Sequence, residues 1–403
     1  MKILHIDETF HPAYGYQANP LAKFQQKQGN EVYIATPTKD YLYPVYKDFG
    51  DDGSGLEEQD KQYMKSTGVK ILRVPAKGYI MGRLNYGKEI FEVVDQVKPD
   101  VLFVHCVETL TAMRFLWKKQ KYPMMFDSHM LSMASHNKLA KAYEVIYRTI
   151  FTRIIKKNGY YVIRTQDDDY VNSHLGIPEK LTPFISFGTD TILFRPNEEI
   201  RERFRQEQSI GQDDFVVVYT GKLIENKGGK LLAETFRKKF DVPVVLVCVG
   251  KPLDDDYGRE VQKILDESEN RIIIFPTQNY LNLAKFYQAA DLSVFPKQCS
   301  MSFYDAQACG LPVISEANNV NCDRCSHQNG DNFVAGSIED FRAKIMKFAS
   351  MSKEERNQYS KNARAFVEAG YDYADIARQY TEYLRKSMEQ QRSNFMVGRR
   401  SNW

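Results

Sequence analysis

This 403-residue chain contains no apolar run of the length, about 18 residues, needed to cross a bilayer, so its sequence offers no membrane-spanning helix. Charge of one sign is scarce too: 55 Lys and Arg stand against 52 Asp and Glu, a net +3. That balance excludes a strongly acidic chain and gives only a faint pull toward anionic partners. The lysines are dispersed and no recognised nucleic-acid module is present, so no nucleic-acid partner is expected. Six cysteines (Cys106, Cys248, Cys299, Cys309, Cys322 and Cys325) build no secreted-type disulfide framework, which favours a reducing cytoplasm. Cys322, Cys325 and His327 have zinc-type chemistry but lack an evident fourth ligand, and a plain loop is the better reading. The segment Met1–Asp7 is too short and polar for a signal peptide, and no solenoid-length repeat occurs.

What is present is a globular composition, 43% hydrophobic and 27% charged, long enough for two domains with separate cores. Short β-rich runs alternate with helical patterns throughout, the pattern of α/β layers. The first series is Lys2–Ile6, Glu31–Thr36, Lys70–Val74, Val101–His105, Met124–Asp127 and Tyr160–Ile163. The second is Phe215–Thr220, Val242–Val249, Arg271–Phe275, Leu292–Phe295 and Pro312–Ser315. This predicts Rossmann-like domains at 1–190 and 191–370, with 371–403 as terminal helix and frayed tail from Arg392 onward. Asn19-Pro20 reads as an N-cap followed by a first-turn proline, with Gly29 beyond the helix end. Ser352 to Glu355 matches a capping box. Leu283, Phe286, Tyr287 and Ala290 recur at helical spacing and belong to a core. Residues 38–68 show no sustained periodicity and read as loop.

Two segments carry the chemistry. The run Phe215–Tyr219 leads through Thr220 into Gly221, followed by Lys222, Lys227 and Gly228 before a helical stretch. A strand emptying into a glycine turn gathers backbone N–H groups and ammoniums near a helix start, which suits a diphosphate. The second runs from Phe295 through Lys297, Ser300, Met301 and Ser302 into a helix carrying Asp305 and stopping at Gly310. Again a helix start faces the carboxyl edge of a parallel sheet, where ligands bind in such folds. Asp305 is placed to hold ribose or sugar hydroxyls, with a surface or capping role as its plain alternative.

In order and spacing these segments resemble the retaining GT-B glycosyltransferases of family 4 (glycosyl transferases group 1) over nearly the whole chain. The resemblance rests on His11–Gln17 with Gly29–Val32, Pro99–His105, Phe126–His129, Ile185–Asp190 with Phe194–Pro196, Gly221–Leu223 with Lys227-Gly228, Asp305–Ile314, and Ala365–Tyr383. It implies an α/β GT-B fold: two Rossmann-like domains facing across a cleft, with a C-terminal helix crossing back to the first. It also implies transfer of a sugar from a UDP- or GDP-sugar donor to a glycan or lipid-linked acceptor, as in polysaccharide biosynthesis, with no cofactor and no metal. Lys222 and Lys227 would stabilise the leaving diphosphate and His129 would hydrogen-bond the transferred sugar, a core histidine being its alternative. Gly221, Ser300, Met301, Ser302, Asp305, Thr277 and Lys297 would form the donor side. Gly15, Tyr16 and His105 would form the acceptor side, with His105 leaning to a structural role.

One departure stands out. The first acid of the family's two-acid motif falls at Lys297, and the second acid is shortened to Asp305. A catalytically silent nucleotide-sugar or glycan binder on the same fold is therefore the alternative reading. A phosphorylase or epimerase has no distinctive motif in its favour. Basic, aromatic stretches at Arg114–Lys121 and Lys138–Lys157 are candidates for peripheral contact with the inner membrane face, weighed against ordinary solvated helices.

Overall fold

The computed structural model describes residues 1–49, 51–80, 82–118, 120–130, 140–297 and 301–400, with side chains at 45, 48–49, 140, 319–320 and 392–400 left aside. The chain divides into two units: Met1–Phe187 together with Tyr373–Trp403, and Gly188–Asp372.

The first unit is built on β1 (Lys2–Ile6), β2 (Glu31–Pro37), β3 (Lys70–Val74), the pair β4 (Ala76–Ile80) and β5 (Arg83–Tyr86), then β6 (Val101–Val104), β7 (Met124–Ser128) and β8 (Val162–Arg164). Its main sheet has six parallel strands in the order β3-β2-β1-β6-β7-β8. The second unit repeats the plan with β9 (Phe215–Thr220), β10 (Val244–Val249), β11 (Arg271–Phe275), β12 (Leu292–Phe295), β13 (Val313–Glu316) and β14 (Gly330–Phe333), ordered β11-β10-β9-β12-β13-β14. Parallel strands need crossover helices, and helices on both faces bury each strand twice over. The sequences comply: FVVVYT of β9 and VVLVCV of β10 are buried at every position. In each sheet the strand order reverses beside the first strand, between β1 and β6 and between β9 and β12. The α/β expectation is borne out.

Four local expectations need correction. Asn19 does not cap the first helix; the helix Ala18–Lys27 starts earlier, and the Asn19 side chain donates to the His11 carbonyl at 2.9 Å. Residues 56–67 form a helix rather than loop. It buries only Leu56 and Asp60, too little to imprint a periodicity, and is anchored by Asp60 against Arg73 at 2.6 Å. The β4–β5 hairpin and β14 went unread because their sequences, AKGYI, RLNY and GDNF, are half polar. The last helix runs Tyr373–Arg400, through backbone expected to fray. It completes the first unit: Gln17 donates to the buried Tyr380 hydroxyl at 2.6 Å, and Gln391 exchanges two hydrogen bonds with the Met124 backbone at 3.0 Å each.

Among the described residues no helix is long and apolar enough to cross a membrane. The capping box forms as read: Ser352 Oγ accepts from the Glu355 N–H at 3.2 Å and Glu355 Oε2 from the Ser352 N–H at 2.8 Å. Ser352→Ala leaves the Glu355 N–H without its cap and should cost about 1 kcal/mol; urea denaturation monitored by circular dichroism would measure it.

Candidate functional site

An open parallel sheet collects ligands outside its carboxyl edge, where the strand order reverses. In the second unit that place lies at the ends of β9 and β12, which lead to Gly221-Lys222 and Pro296-Lys297 respectively. The loop leaving β9 passes Gly221 and Lys222, turns through Glu225–Lys227, and enters the helix Gly229–Thr235. Two contacts pin its start. The buried Tyr219 hydroxyl donates to the Lys222 carbonyl at 2.8 Å, and Thr220 Oγ1 meets the Tyr287 hydroxyl at 2.6 Å.

Two glycines make the loop's close approaches possible. Gly250, at the end of β10, has φ +129°, and a Cβ there would come within 2.1 Å of the Gly221 carbonyl oxygen. Gly228 has φ +74°, and a Cβ there would lie 2.8 Å from Pro296 Cβ and 3.2 Å from Lys297 Cγ. The Lys227-Gly228 turn therefore packs directly on the Pro296-Lys297 strand end. Lys222, Lys227 and Lys297 are all half-buried, and the first two make contacts within the fold. Gly250 was missed in the sequence although it carries the same signal as Gly221, a buried strand emptying into glycine.

The remaining donor-side candidates fall as follows. Ser300 lies outside the described residues. Met301 and Ser302 open the helix Ser302–Ala308 and are half-buried. Both this helix and Gly229–Thr235 have seven residues, so any anion here depends on loop amides and lysines more than on a long dipole. Asp305 neither caps its helix nor faces solvent. It is 2% exposed, its Oδ1 accepts from the hydroxyls of Thr189 and, at 3.3 Å, Tyr280, and burial pushes its carboxyl up to about 7. Thr277 is exposed beyond the end of β11, two strands or roughly 10 Å from β9. A cavity of about 1240 Å³ lies at the opposite, amino ends of these strands, lined by Arg201, Arg205 and Asp291. Those groups are ion-paired with one another, and the glycine loops do not reach it.

In the first unit the reversal lies at the ends of β1 and β6, and a line of hydrogen bonds runs beneath it. Gln25 Oε1 lies 2.8 Å from His5 Nε2, His5 Nδ1 lies 3.0 Å from His105 Nε2, and His105 Nδ1 lies 2.8 Å from Asp127 Oδ2. His129, the residue after β7, reaches the same Asp127 oxygen at 3.3 Å, and the Cys106 N–H donates to the other at 2.7 Å. Burial alone would raise the Asp127 carboxyl, but His105 and His129 together hold it well below the usual carboxylate range. Burial opposes charge on those two imidazoles as well, and Asp127 outweighs it, so both are raised. Burial and then His105 push His5 down to about 3, so it is neutral. Neutral His5 has one N–H. Donating it to Gln25 leaves Nδ1 to accept from His105, which then carries both its protons as an imidazolium on Asp127.

His105 is 4% exposed, and both its ring nitrogens are engaged by His5 and Asp127. His129 is the accessible member, its side chain 32% exposed and its ring edge-on to Phe187 at 5.2 Å. The ligand atoms of His105, Asp127 and His129 lie within 4.8 Å of one another, a spacing that could also hold a metal ion. Gly15 sits in a tight turn where the Tyr16 N–H donates to the Tyr14 carbonyl at 3.0 Å. Tyr16 is half-buried against Tyr46, which Tyr14 stacks on at 4.8 Å, and burial pushes the Tyr16 phenol up to about 12. Sequence reasoning missed Glu8 and Glu108, which follow β1 and β6. Burial raises each carboxyl to about 7, and single acids after strands carry no spacing signal.

Residues 200–366 match the family described as "Glycosyl transferases group 1". A lipopolysaccharide 1,2-N-acetylglucosaminetransferase of Salmonella typhimurium is 25% identical over 207 residues, 46% of this chain and 52% of that protein. A D-inositol 3-phosphate glycosyltransferase of Segniliparus rotundus is 26% identical over 207 residues, 48% of this chain and 45% of that one. The chain thus spans about half the length of the curated relatives it matches. Anabaena HepE, solved with UDP and glucose, superposes with TM-score 0.70 at 17% identity over 96% of this chain and 99% of its own. A glycosyltransferase of Rickettsia africae gives TM-score 0.73 at 14% identity, covering 96% and 98%. The fold is GT-B, and the resemblance to GT-B glycosyltransferases is borne out.

The His5 assignment has a pH consequence. Unfolded, His5 takes up a proton below about 6.5; folded, it resists until about 3. The unfolded state therefore binds more protons across that window, and acidification costs stability, about 1.4 kcal/mol per pH unit at full slope. His5→Gln removes this term, so the stability gap between parent and variant should narrow from pH 7 to pH 5. Urea titrations across that range would read it, and a constant gap would refute the assignment.

Proposed function

We propose that this chain is a retaining glycosyltransferase of the family 4 type, moving a sugar from a UDP- or GDP-sugar to a hydroxyl of a glycan or lipid-linked acceptor without a metal ion. The observation that carries the reading is the placement of Lys222 and Lys227. Both stand on the glycine-bounded loop at the carboxyl end of β9, beside the strand-order reversal and within the family-matching segment. The likeness to a structure solved with UDP and glucose favours a uridine diphosphate donor.

On this reading the bond from the anomeric carbon to the diphosphate oxygen breaks while the acceptor oxygen bonds the same carbon from the same face. The acceptor's proton passes to the departing phosphate. No protein nucleophile takes part, and the chain's task is to stabilise charge that grows on the diphosphate. Ammoniums at Lys222 and Lys227 do this better in the transition state than in the ground state. The Gly221, Met301 and Ser302 amides add fixed dipoles, and Ser300 belongs with them. Lys297, packed against Gly228, approaches the donor from the β12 side. Asp305 offers Oδ2 to the ribose, since its contacts with Thr189 and Tyr280 fall on Oδ1, and Thr277 borders the base. His129 hydrogen-bonds the transferred sugar, with His105 and Asp127 fixing its position, and Gly15 and Tyr16 border the acceptor.

A lipid-linked acceptor is consistent with exposed apolar side chains in the first unit: Trp117 (70%), Val145 (61%) and Ile146 (53%). Of the second basic stretch, Lys138 and Leu139 lie outside the described residues. The silent-binder alternative draws on Lys297 in place of an acid and on Asp305 being held internally by Thr189 and Tyr280.

Lys222→Ala and Lys227→Ala should each lower kcat by about a hundredfold, since one lost oxyanion-type donor costs about 3 kcal/mol. Donor turnover measured by UDP release reads this directly; no turnover in the parent chain alongside retained UDP binding would favour the silent binder. Anionic vesicles should co-sediment the protein at low salt and release it at high salt. Equal behaviour with neutral vesicles would end the membrane-contact idea.

A further inference from the structure

Strand β9 ends in two hydroxyl side chains, Tyr219 and Thr220, and each is tied to a different part of the second unit. Neighbouring residues of a strand point to opposite faces of its sheet, so the two leave β9 on opposite sides. Tyr219 is 2% exposed and lies in the core with Leu232, Phe236 and Cys248. Its hydroxyl donates to the Lys222 carbonyl, three residues on, at 2.8 Å. The ring also underlies the turn itself: a Cβ at Gly221 would stand 3.1 Å from the Tyr219 hydroxyl oxygen and 3.4 Å from its Cζ.

On the other face Thr220 Oγ1 meets the hydroxyl of Tyr287 at 2.6 Å. Tyr287 belongs to the helix Ala284–Ala289, is fully buried, and has its ring edge-on to Phe194 at 5.9 Å. The same phenol hydrogen-bonds the side chain of Ser302, which opens the helix following β12. A single hydroxyl thus joins the exit of β9 to the helix that follows its neighbour in the sheet.

Phenylalanine would fill either place with the same ring. A buried phenol is unfavourable unless its hydroxyl is bonded, and here both hydroxyls hold the exit of β9. The bond to the Lys222 carbonyl fixes the peptide plane that follows Lys222, and the bond to Thr220 fixes the residue before Gly221. Between those points only Gly221 and Lys222 remain to be placed. The direction in which the lysine leaves the backbone is therefore set by two hydroxyls buried beneath it.

We propose that Tyr219 and Tyr287 are positioning residues for Lys222, two buried phenols that clamp the exit of β9 from opposite faces of the sheet. Their bearing on a nucleoside diphosphate rests on the transferase reading; the clamp itself does not.

Amide hydrogen exchange of the full chain and calorimetric titration with UDP test this together. The set is the parent, Tyr219→Phe, Tyr287→Phe, Lys222→Ala, and each phenylalanine variant combined with Lys222→Ala. Each phenylalanine variant should speed exchange over residues 222–228 at least about fivefold and leave β10 as slow as in the parent. Each should weaken UDP binding about fivefold, the size of one hydrogen bond. Once Lys222 is alanine the same substitutions should change UDP binding less than about twofold, because a residue that acts through Lys222 has nothing left to position. Faster exchange in β10 as well, or an equal loss of affinity on both backgrounds, would mark a general loss of packing and overturn the clamp. Should Tyr287→Phe fail to fold, Thr220→Val breaks the same contact from the strand side. Faster loop exchange in a chain that binds no UDP keeps the clamp and removes the donor reading. UDP binding that neither substitution alters leaves the donor reading standing and removes the clamp.

Discussion

A parallel strand covered by helices on both faces has nowhere to put chemistry except at its ends. That constraint governs both units here. The strands β9 and β10 are buried at every residue, and the two hydroxyls that β9 carries, on Tyr219 and Thr220, are bonded within the fold. Polar groups collect instead in the few residues after each strand stops, and they collect most where neighbouring strands diverge in order. Gly221 and Lys222 after β9, Lys297 after β12, Asp7 and Glu8 after β1, and His105 to Glu108 after β6 all obey this rule.

The two units use that rule with opposite charge. The second places lysines on a loop that closes glycine against backbone at Gly250 and glycine against strand end at Gly228. A loop packed this tightly fixes where its lysines stand. The first unit buries acids instead, and two imidazoles hold the Asp127 carboxyl down. Glu8 and Glu108 are left with raised carboxyls because burial is the largest influence on each. Similar backbones thus present different electrostatic surroundings at their strand ends.

Much of this was legible in the amino-acid order because strands buried on both faces write themselves as unbroken apolar runs. The five strands read in the second half and the six in the first fall within a residue or two of the observed elements. GDNF at β14 and the β4–β5 hairpin are half polar, and the helix Leu56–Thr67 buries two residues, so none left a periodic trace. The lysine–glycine loop was legible from its spacing. Asp305 was legible as a motif residue but not as a buried one, because only the fold brings Thr189 and Tyr280 to it. Glu8 and Glu108 stand one hundred positions apart in sequence yet both act on the Cys106 thiol, and no local pattern announces such a pairing.

The second unit is an uninterrupted insertion, and its two ends are tied together: the Thr189 N–H donates to the Tyr371 carbonyl at 2.8 Å. Its polypeptide is therefore complete on the ribosome before the helix Tyr373–Arg400 has been made. The first unit, begun earlier, must wait for that helix to cover Phe103 with Tyr380, ring centroids 5.6 Å apart. During synthesis the younger half can close its core first, while the older one stays open on one face until that helix emerges.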